Sequence, residues 1–224
     1  WNAGRRGEAA PVQAGERDVQ RLEYPELELR FSEGEAIVCD TSCSVRALAM
    51  HGAATSIVTR ADATIEQVLI GATADATPSD TRGATGVQVE KGTTVARVLF
   101  VNGQTESGII VGPGARLDAE RVEVTRCGAP QSGGGIVLLS DSSSVRSSTI
   151  AANDGVGFLL GAPNGSAPAN ANRIEGCTIS SNQAGVVIAP PSSRNTIIRN
   201  DIMWNSVGGI TTIAVEGASA AKAN

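Results

Sequence analysis

The sequence predicts an all-β fold, a single-stranded parallel β-helix of about seven or more coils. One observation is a motif that recurs with variable spacing between residues 45 and 212. It reads as an apolar residue, a second apolar residue five positions later and Asn three positions after that. A short turn follows, and then Gly with a β-branched or aromatic residue after it. A second observation is that aromatic residues make up only 3% of a chain that is 41% hydrophobic. The clearest copies of the motif are Val145-Ile150-Asn153-Gly157-Phe158, Ile174-Ile179-Asn182-Gly185-Val186 and Ile197-Ile202-Asn205-Gly209-Ile210.

The composition suits thin stacked coils and argues against several classes of function. A narrow solenoid interior is filled by Val, Ile, Leu and Ala, and 26 glycines without a G-X-Y period suit a chain that turns repeatedly. The net charge of −5 disfavours nucleic acid as a partner. No apolar run reaches the roughly 18 residues of a membrane span. The sequence predicts no metal site and no cofactor.

The repeat separates inward from outward positions along each coil. With the second apolar residue of the motif as position zero, positions −2 and 0 alternate with polar neighbours, as in a strand with one buried face. Position −5 is the first apolar residue of the motif. We expect position zero to form one aliphatic ladder through the stack, made of Met50, Ile70, Phe100, Val124, Ile150, Ile179 and Ile202.

Position +3 holds Asn153, Asn182 and Asn205 in three successive coils. Stacked in register, each side-chain amide can bond its neighbours above and below while the residue adopts the left-handed bend of a corner. We interpret these residues as a structural asparagine ladder and not as a binding site.

Charged residues occupy outward positions and predict a mixed ionic strip along the axis. Exposed pairs of opposite charge on adjacent coils are each worth about 0–1 kcal/mol, so the strip is interpreted as a solvated surface. Position −4 reads Arg46, Glu66, Ala96, Glu120, Arg146, Glu175 and Ile198.

The four cysteines fall into two groups by position. Cys39 and Cys43 bracket a three-residue segment, so they form either a disulfide in an oxidising compartment or two buried thiols, and we favour the disulfide. Cys127 and Cys177 lie in different coils and at different registers, which places them too far apart to bridge. We interpret these two as small core residues.

Changes in composition divide the chain into three parts. Residues 1–36 are charged and predict an N-terminal cap or a preceding partial coil, residues 37–212 form the parallel β-helix, and residues 213–224 form a small-residue tail. Within the β-helix, turn-rich inserts at 72–85 and 161–171 interrupt the repeat. Inserts in a solenoid lie on its flank, often on the binding side.

Candidate chemical groups are sparse and scattered. Glu120 and Glu123 form the one acidic pair suited to glycoside hydrolysis, because about 10 Å along a shared strand approaches the separation used for inversion. Candidate ligand-binding residues on the outer face are Arg121, Arg146, Arg199, Asp201 and Trp204. His51 is the only histidine, and with no second His or Cys near it in sequence we expect no metal or triad role.

The segments NRIEGCTISSNQAGVVI and NTIIRNDIMWNSVGGI resemble the right-handed β-helix repeats of the pectate-lyase-like superfamily, in particular its carbohydrate-binding and sugar-hydrolase repeats. The resemblance covers about residues 45–212. It implies a right-handed coil, residence in the periplasm, at the cell surface or outside the cell, and a connection with carbohydrate. The catalytic motifs of the superfamily do not match residue by residue.

These observations favour a non-catalytic extracellular or cell-envelope module with a structural or adhesive role. The alternatives are a polysaccharide lyase or hydrolase, and a carbohydrate-binding module without turnover. The expected partners are polysaccharide or copies of the chain itself, with no nucleic acid.

Overall fold

The computed structural model describes residues 27–129 and 133–212, and these ranges form twenty β-strands. The part of the predicted cap that precedes residue 27 and the tail at 213–224 lie outside the described residues. Strands stack through parallel pairing into two sheets, one of twelve strands and one of eight. The predicted all-β solenoid is confirmed, and its eight-stranded sheet gives one strand to each of eight coils. In the described ranges no helix is long and apolar enough to cross a membrane.

The smaller sheet, called sheet B, contains one five-residue strand from each coil. Its strands, in stacking order, are β2 (Glu35–Cys39), β4 (Thr55–Thr59), β6 (Thr85–Val89), β8 (Ser107–Val111), β11 (Gly134–Leu138), β14 (Val156–Leu160), β17 (Ala184–Ile188) and β20 (Gly208–Thr212).

The larger sheet, called sheet A, changes character along the stack. It begins with one strand in each coil and continues with two short strands in each coil, separated by a bend. The single strands are β1 (Leu27–Arg30), β3 (Cys43–His51), β5 (Ala63–Ile70) and β7 (Thr93–Asn102). The paired strands are β9 (Arg116–Glu120) with β10 (Glu123–Thr125), β12 (Ser144–Arg146) with β13 (Thr149–Ala151), β15 (Arg173–Glu175) with β16 (Thr178–Ser180), and β18 (Thr196–Ile198) with β19 (Asp201–Met203).

The aliphatic ladder forms as predicted except in β7. Val101, and not Phe100, pairs in register with Ile70 and Val124. Val101 is fully buried, whereas Phe100 faces outward and is half-buried. The predicted alignment of this coil with the motif, its frame, was therefore wrong by one residue, because the apolar run 98–101 fits either alignment. The positive φ of 52° at Val98 sets the correct frame.

The same frame shift corrects the neighbouring positions of that coil. Ala96 occupies the inward position −5 predicted for Val95, and Arg97 occupies the outward position −4 predicted for Ala96. Position −2 is Leu99, which is buried, and position +3 is Gln104, which is 1% exposed.

Each coil bends at position −3, where the backbone is left-handed. The residues at this bend have φ between 48° and 62° and are Ala47, Gln67, Val98, Arg121, Ser147, Gly176 and Arg199. A left-handed conformation costs a non-glycine residue about 1 kcal/mol or more, so the stack must compensate each bend with other interactions.

The asparagines at position +3 link successive coils. Asn182 Oδ1 accepts the backbone N–H of Asn153 at 3.1 Å and its side-chain amide at 2.8 Å, and Asn182 Nδ2 donates to Ile150 O at 3.1 Å. Asn205 repeats this arrangement one coil later. The left-handed residue is the one before each asparagine, for example Ala152 with φ 54°. The predicted bend at the asparagine itself was therefore wrong, and the asparagine instead turns inward to bond the backbone.

The glycine of the motif is explained by close approach of the next coil. A Cβ atom at Gly157 would lie 2.6 Å from Gly185 O and 2.9 Å from Asn182 Nδ2. Any side chain at this position would displace the asparagine ladder. Asparagine and glycine recur together because one fills the space that the other leaves.

Candidate functional site

The outward position −4 carries an alternating row of arginine and glutamate, called here the ionic strip. With the corrected frame, its members in stacking order are Arg46, Glu66, Arg97, Glu120, Arg146 and Glu175. The sequence frame concealed this alternation by placing Ala96 in the row. Parallel pairing in register sets each charge beside the opposite charge of the next coil.

The densest part of the ionic strip lies around β9. Arg97 contacts Asp118 at 3.1 Å and Glu120 at 3.5 Å. Arg146, on the other side of the same strand, contacts these two carboxylates at 3.3 Å and 3.9 Å. The carboxylate of Glu120 therefore lies between two guanidinium groups. Asp118, which sequence reasoning did not single out, completes this four-residue network.

The structure separates the two carboxylates that the sequence joined as a candidate catalytic pair. Glu120 ends β9 and Glu123 begins β10, with the left-handed bend at Arg121 between them. The prediction that they share a strand was therefore wrong. Glu123 is exposed and pairs in register with Phe100 and Thr149. Partial desolvation by neighbouring atoms raises the pKa of the Glu123 carboxyl.

The remaining outer candidates lie on different parts of the surface. Arg121 is an exposed bend residue. Arg199, 82% exposed, contacts Glu175 at 3.5 Å, and Arg173 contacts the same carboxylate at 2.8 Å. These contacts, led by the hydrogen bond from Arg173, lower the pKa of Glu175.

Asp201 and Trp204 lie in the last described coil. Asp201 is exposed and pairs in register with Thr178. Trp204 follows β19, has φ 55° and is 81% exposed. The structure therefore does not bring Trp204 to the ionic cluster around Glu120, which lies three coils away in sheet A.

The cysteines have different chemical states in the two groups. Cys39 and Cys43 form a disulfide between β2 and β3, with Cα atoms 5.8 Å apart. Cys127 and Cys177 are free and buried. Burial raises the pKa of the Cys127 thiol to about 11 and also raises that of Cys177. Neither buried thiol is suited to act as a nucleophile, because the thiolate is the reactive form.

An open depression of about 460 Å³ lies on the flank. It is lined by the turn at 113–116, by residues 139–141 and by residues 166–168 of the second insert. Its charged lining residues are Arg116 and Asp141. The insert therefore forms one wall of a surface concavity, in the manner expected for inserts on a solenoid flank.

A second polar cluster lies near the N-terminal end of the stack. His51 is 5% exposed, and its Nε2 lies 3.2 Å from Glu28 Oε1 while its Nδ1 lies 3.1 Å from Ser79 Oγ. Sequence reasoning missed this cluster, because His51 lies 23 positions from Glu28 and 28 positions from Ser79. The first insert brings Ser79 to the histidine, and the pairing of β1 with β3 brings Glu28.

The comparison with known families assigns the architecture. The family model described as "Right handed beta helix region" matches residues 49–221. This match spans more than half of the 224 residues, so the chain belongs to the right-handed β-helix family. No curated protein and no solved structure matches the chain. The right-handed β-helix predicted from the repeats is confirmed, whereas its function must be argued from the sites.

Proposed function

We propose that this chain is an extracellular or cell-envelope β-helix module with a structural or adhesive role, and that its ionic strip does not cleave polysaccharide. The observation that carries the proposal is the mutual pairing of charges along that strip. Arginines and carboxylates of adjacent coils contact one another at 3.1–3.9 Å, in one group around Arg97 and Arg146 and in a second between Arg199 and Glu175. Arginines and carboxylates that are paired with one another across coils stabilise the stack.

The electrostatics of the strip oppose acid catalysis. A glycosidase needs a carboxyl group that is still protonated near neutral pH, which requires a raised pKa. The pKa of Glu175 is lowered by Arg173, and Glu120 lies between Arg97 and Arg146. Glu123 has a raised pKa, but the bend at Arg121 separates it from the carboxylates of β9. The carboxyl group with the raised pKa and the paired carboxylates therefore lie on different strands of sheet A.

The disulfide supports a location in an oxidising compartment. Disulfides persist outside the cell or in the periplasm and are rare in reducing cytosol. The Cys39–Cys43 bond lies at the turn that leads from sheet B into sheet A near the start of the stack.

The proposal is tested by a panel of polyuronates and neutral polysaccharides, followed by mass spectrometry of released oligosaccharides. We expect no new products, together with retention of the chain on an insoluble polysaccharide or concentration-dependent self-association in sedimentation velocity. New products that disappear in Glu120→Gln or Glu123→Gln would overturn the proposal. Ser166→Ala, which alters an exposed loop hydroxyl, serves as the control variant.

Carbohydrate binding without turnover is a second candidate, and Trp204 favours it. An aromatic side chain that is 81% exposed offers a flat apolar face for a sugar ring. Trp204→Ala should then weaken retention on polysaccharide, while Val207→Ala, at a neighbouring exposed apolar residue, should not. Equal retention of both variants would exclude Trp204 as the contact.

A further inference from the structure

The cluster around His51 has the connectivity of a charge-assisted serine nucleophile. Ser79 Oγ lies 3.1 Å from one ring nitrogen of His51, and Glu28 Oε1 lies 3.2 Å from the other. A nucleophile, a base and an acidic group that orients the base are the three parts of such an array. Ser79 is the hydrogen-bond partner of Nδ1, and the carboxylate of Glu28 is the partner of Nε2. In a neutral imidazole whichever ring nitrogen carries no proton can accept one, so Nδ1 can serve as the base.

The carboxylate fixes the tautomer that this chemistry needs. Glu28 Oε2 accepts the backbone N–H of Ala74 at 2.9 Å, so its other oxygen is held toward the ring. This hydrogen bond and the one from His51 lower the pKa of Glu28, which keeps the group ionised. An ionised Glu28 accepts a hydrogen bond from the Nε2–H of His51, and Nδ1 is then left as the acceptor for the hydroxyl of Ser79.

The serine is held firmly but remains partly open to solvent. The backbone N–H of Ser79 donates to Gly71 O at 2.9 Å, and a bridge between Ala72 and Pro78 closes the insert just before it. Ser79 is half-buried, and its neighbours Asp80 and Thr81 are exposed. His51 beneath it is only 5% exposed. The base is thus shielded from water while the hydroxyl can meet a small molecule.

We propose that Ser79 is an activated nucleophile for small carboxylic esters, with His51 as its general base and Glu28 as the positioning residue. The site lies in sheet A's first coils and the first insert, away from the ionic strip around β9, so it is independent of the structural or adhesive role. Its substrate class is an unhindered acyl ester, because the half-buried hydroxyl leaves little room for a bulky acyl group.

The reaction proceeds in two balanced steps. Ser79 Oγ bonds to the ester carbonyl carbon and its proton moves to His51 Nδ1. The carbon–oxygen bond to the alcohol then breaks, and the alcohol leaves with that proton. In the second step water attacks the acyl-serine, again giving a proton to Nδ1, which returns to Ser79 as the carboxylic acid departs. In the resting site the hydroxyl of Ser79 also lies 3.2 Å from Thr81 Oγ1, to which it can donate, and Ser79 Oγ accepts the backbone N–H of Thr81 at 3.1 Å. The serine proton therefore turns from Thr81 to His51 Nδ1 before the attack.

The test is covalent labelling by a fluorophosphonate probe, with the modified residue located by peptide mass spectrometry. We expect a single adduct on Ser79 that is absent in Ser79→Ala. His51→Gln should slow labelling about 100-fold, as for loss of a general base. Glu28→Gln, at a partly exposed residue, should slow it about 10-fold while the chain stays folded. Ser166→Ala, which removes an exposed hydroxyl in the other insert, should label like the parent chain.

Hydrolysis of p-nitrophenyl acetate provides a second readout, with a burst of one p-nitrophenol per chain that Ser79→Ala abolishes. Thermal unfolding followed by circular dichroism reports whether each variant is folded. An unlabelled parent chain would overturn the proposal, as would a labelling rate unchanged in folded Glu28→Gln. If Ser79→Ala and Glu28→Gln lower the unfolding temperature while the parent resists labelling, the cluster is a clamp that fastens the insert to the stack.

Discussion

The two ends of sheet A close the same bend with different chemistry. Residues 43–102 are called the aliphatic coils. Their strands of 8–10 residues run through the bend at position −3, and the inward residue that follows the bend, at position −2, is Leu48, Val68 or Leu99. In residues 143–212, called the asparagine coils, the bend separates three-residue strands. At position −2 of the asparagine coils the residues are Ser148, Cys177 and Asn200, in stacking order.

The asparagine coils use polar side chains at three positions spaced five residues apart. In the last coil these are Asn195, Asn200 and Asn205, and each side-chain oxygen accepts a backbone N–H of the preceding coil at 2.8–3.0 Å. Each side-chain amide also donates to a carbonyl of that coil at 2.8–3.1 Å. A corner of this fold can therefore be filled by apolar packing or by hydrogen bonds that satisfy the bent backbone.

Removal of an aliphatic ladder residue is expected to have the largest effect. Ile70→Ala, in the aliphatic coils, removes a fully buried side chain and should lower the free energy of unfolding by about 3 kcal/mol. Ile202→Ala changes the same ladder position in the last described coil, where the side chain is only half-buried. It should cost about half as much. Chemical denaturation measures both, and equal losses would show that burial at the two ends does not differ.

Loss of an asparagine should cost slightly less than loss of a ladder isoleucine. Asn182→Ala leaves the backbone N–H of Asn153 and the carbonyl of Ile150 without their partner. Buried polar groups left unpaired cost about 1–3 kcal/mol, so we expect a loss of about 2 kcal/mol. Asn164→Ala, which removes an exposed turn asparagine, is the control and should cost under about 0.5 kcal/mol. Similar values for the two variants would show that water replaces the ladder.

The repeat made most of this fold predictable from sequence, because one motif position performs one structural task in every coil. The asparagine coils were the easiest to align, since Asn and Gly mark their corners. The aliphatic coils were harder, because the apolar run 98–101 gives no polar marker of frame. Their bends fall on Ala47, Gln67 and Val98, residue types that do not signal a left-handed backbone.

The sites were less predictable than the fold. The ionic strip was foreseen as a mixed row of charge, but its strict alternation depends on the frame of Arg97. The cluster of Glu28, His51 and Ser79 could not be foreseen, since its members come from a strand pairing and an insert that lack the motif. Residues that build coils recur in the sequence, whereas residues of a site occur once.

The buried thiol between the two regions should make stability fall in alkali. Cys127 occupies the corner position between Gln104 and Asn153, and burial raises its pKa to about 11. The unfolded thiol loses its proton near pH 8.5, so the stabilisation is complete below that pH and is lost as pH rises toward 11. We expect a loss of about 1 kcal/mol between pH 7.5 and about 9.2. Urea unfolding of the parent and of Cys127→Ala measures this, and an equal loss in both chains would exclude Cys127 as its source.

The smallest expected effect concerns the ionic strip, where one ion pair lies within the aliphatic coils and another belongs to the network that joins them to the asparagine coils. Arg46 and Glu66 in the aliphatic coils form a pair at 3.3 Å between side chains 61% and 39% exposed. Arg146 and Asp118 are also 3.3 Å apart, but they are less exposed and belong to the network with Arg97 and Glu120. Double-mutant cycles to alanine should give a coupling of about 0.3 kcal/mol for the first pair and about 0.5–1 kcal/mol for the second.

Salt separates the possible origins of that difference. If charge attraction causes both couplings, each should shrink in about 1 M NaCl, where screening acts within a few ångströms, and the more exposed Arg46–Glu66 pair should lose the larger share. A coupling for Arg146–Asp118 that is insensitive to salt would instead reflect packing of the arginine stem against the sheet. Equal couplings for the two pairs would show that the network adds nothing to its separate pairs, and would remove the ionic strip as a reason for the stack's stability.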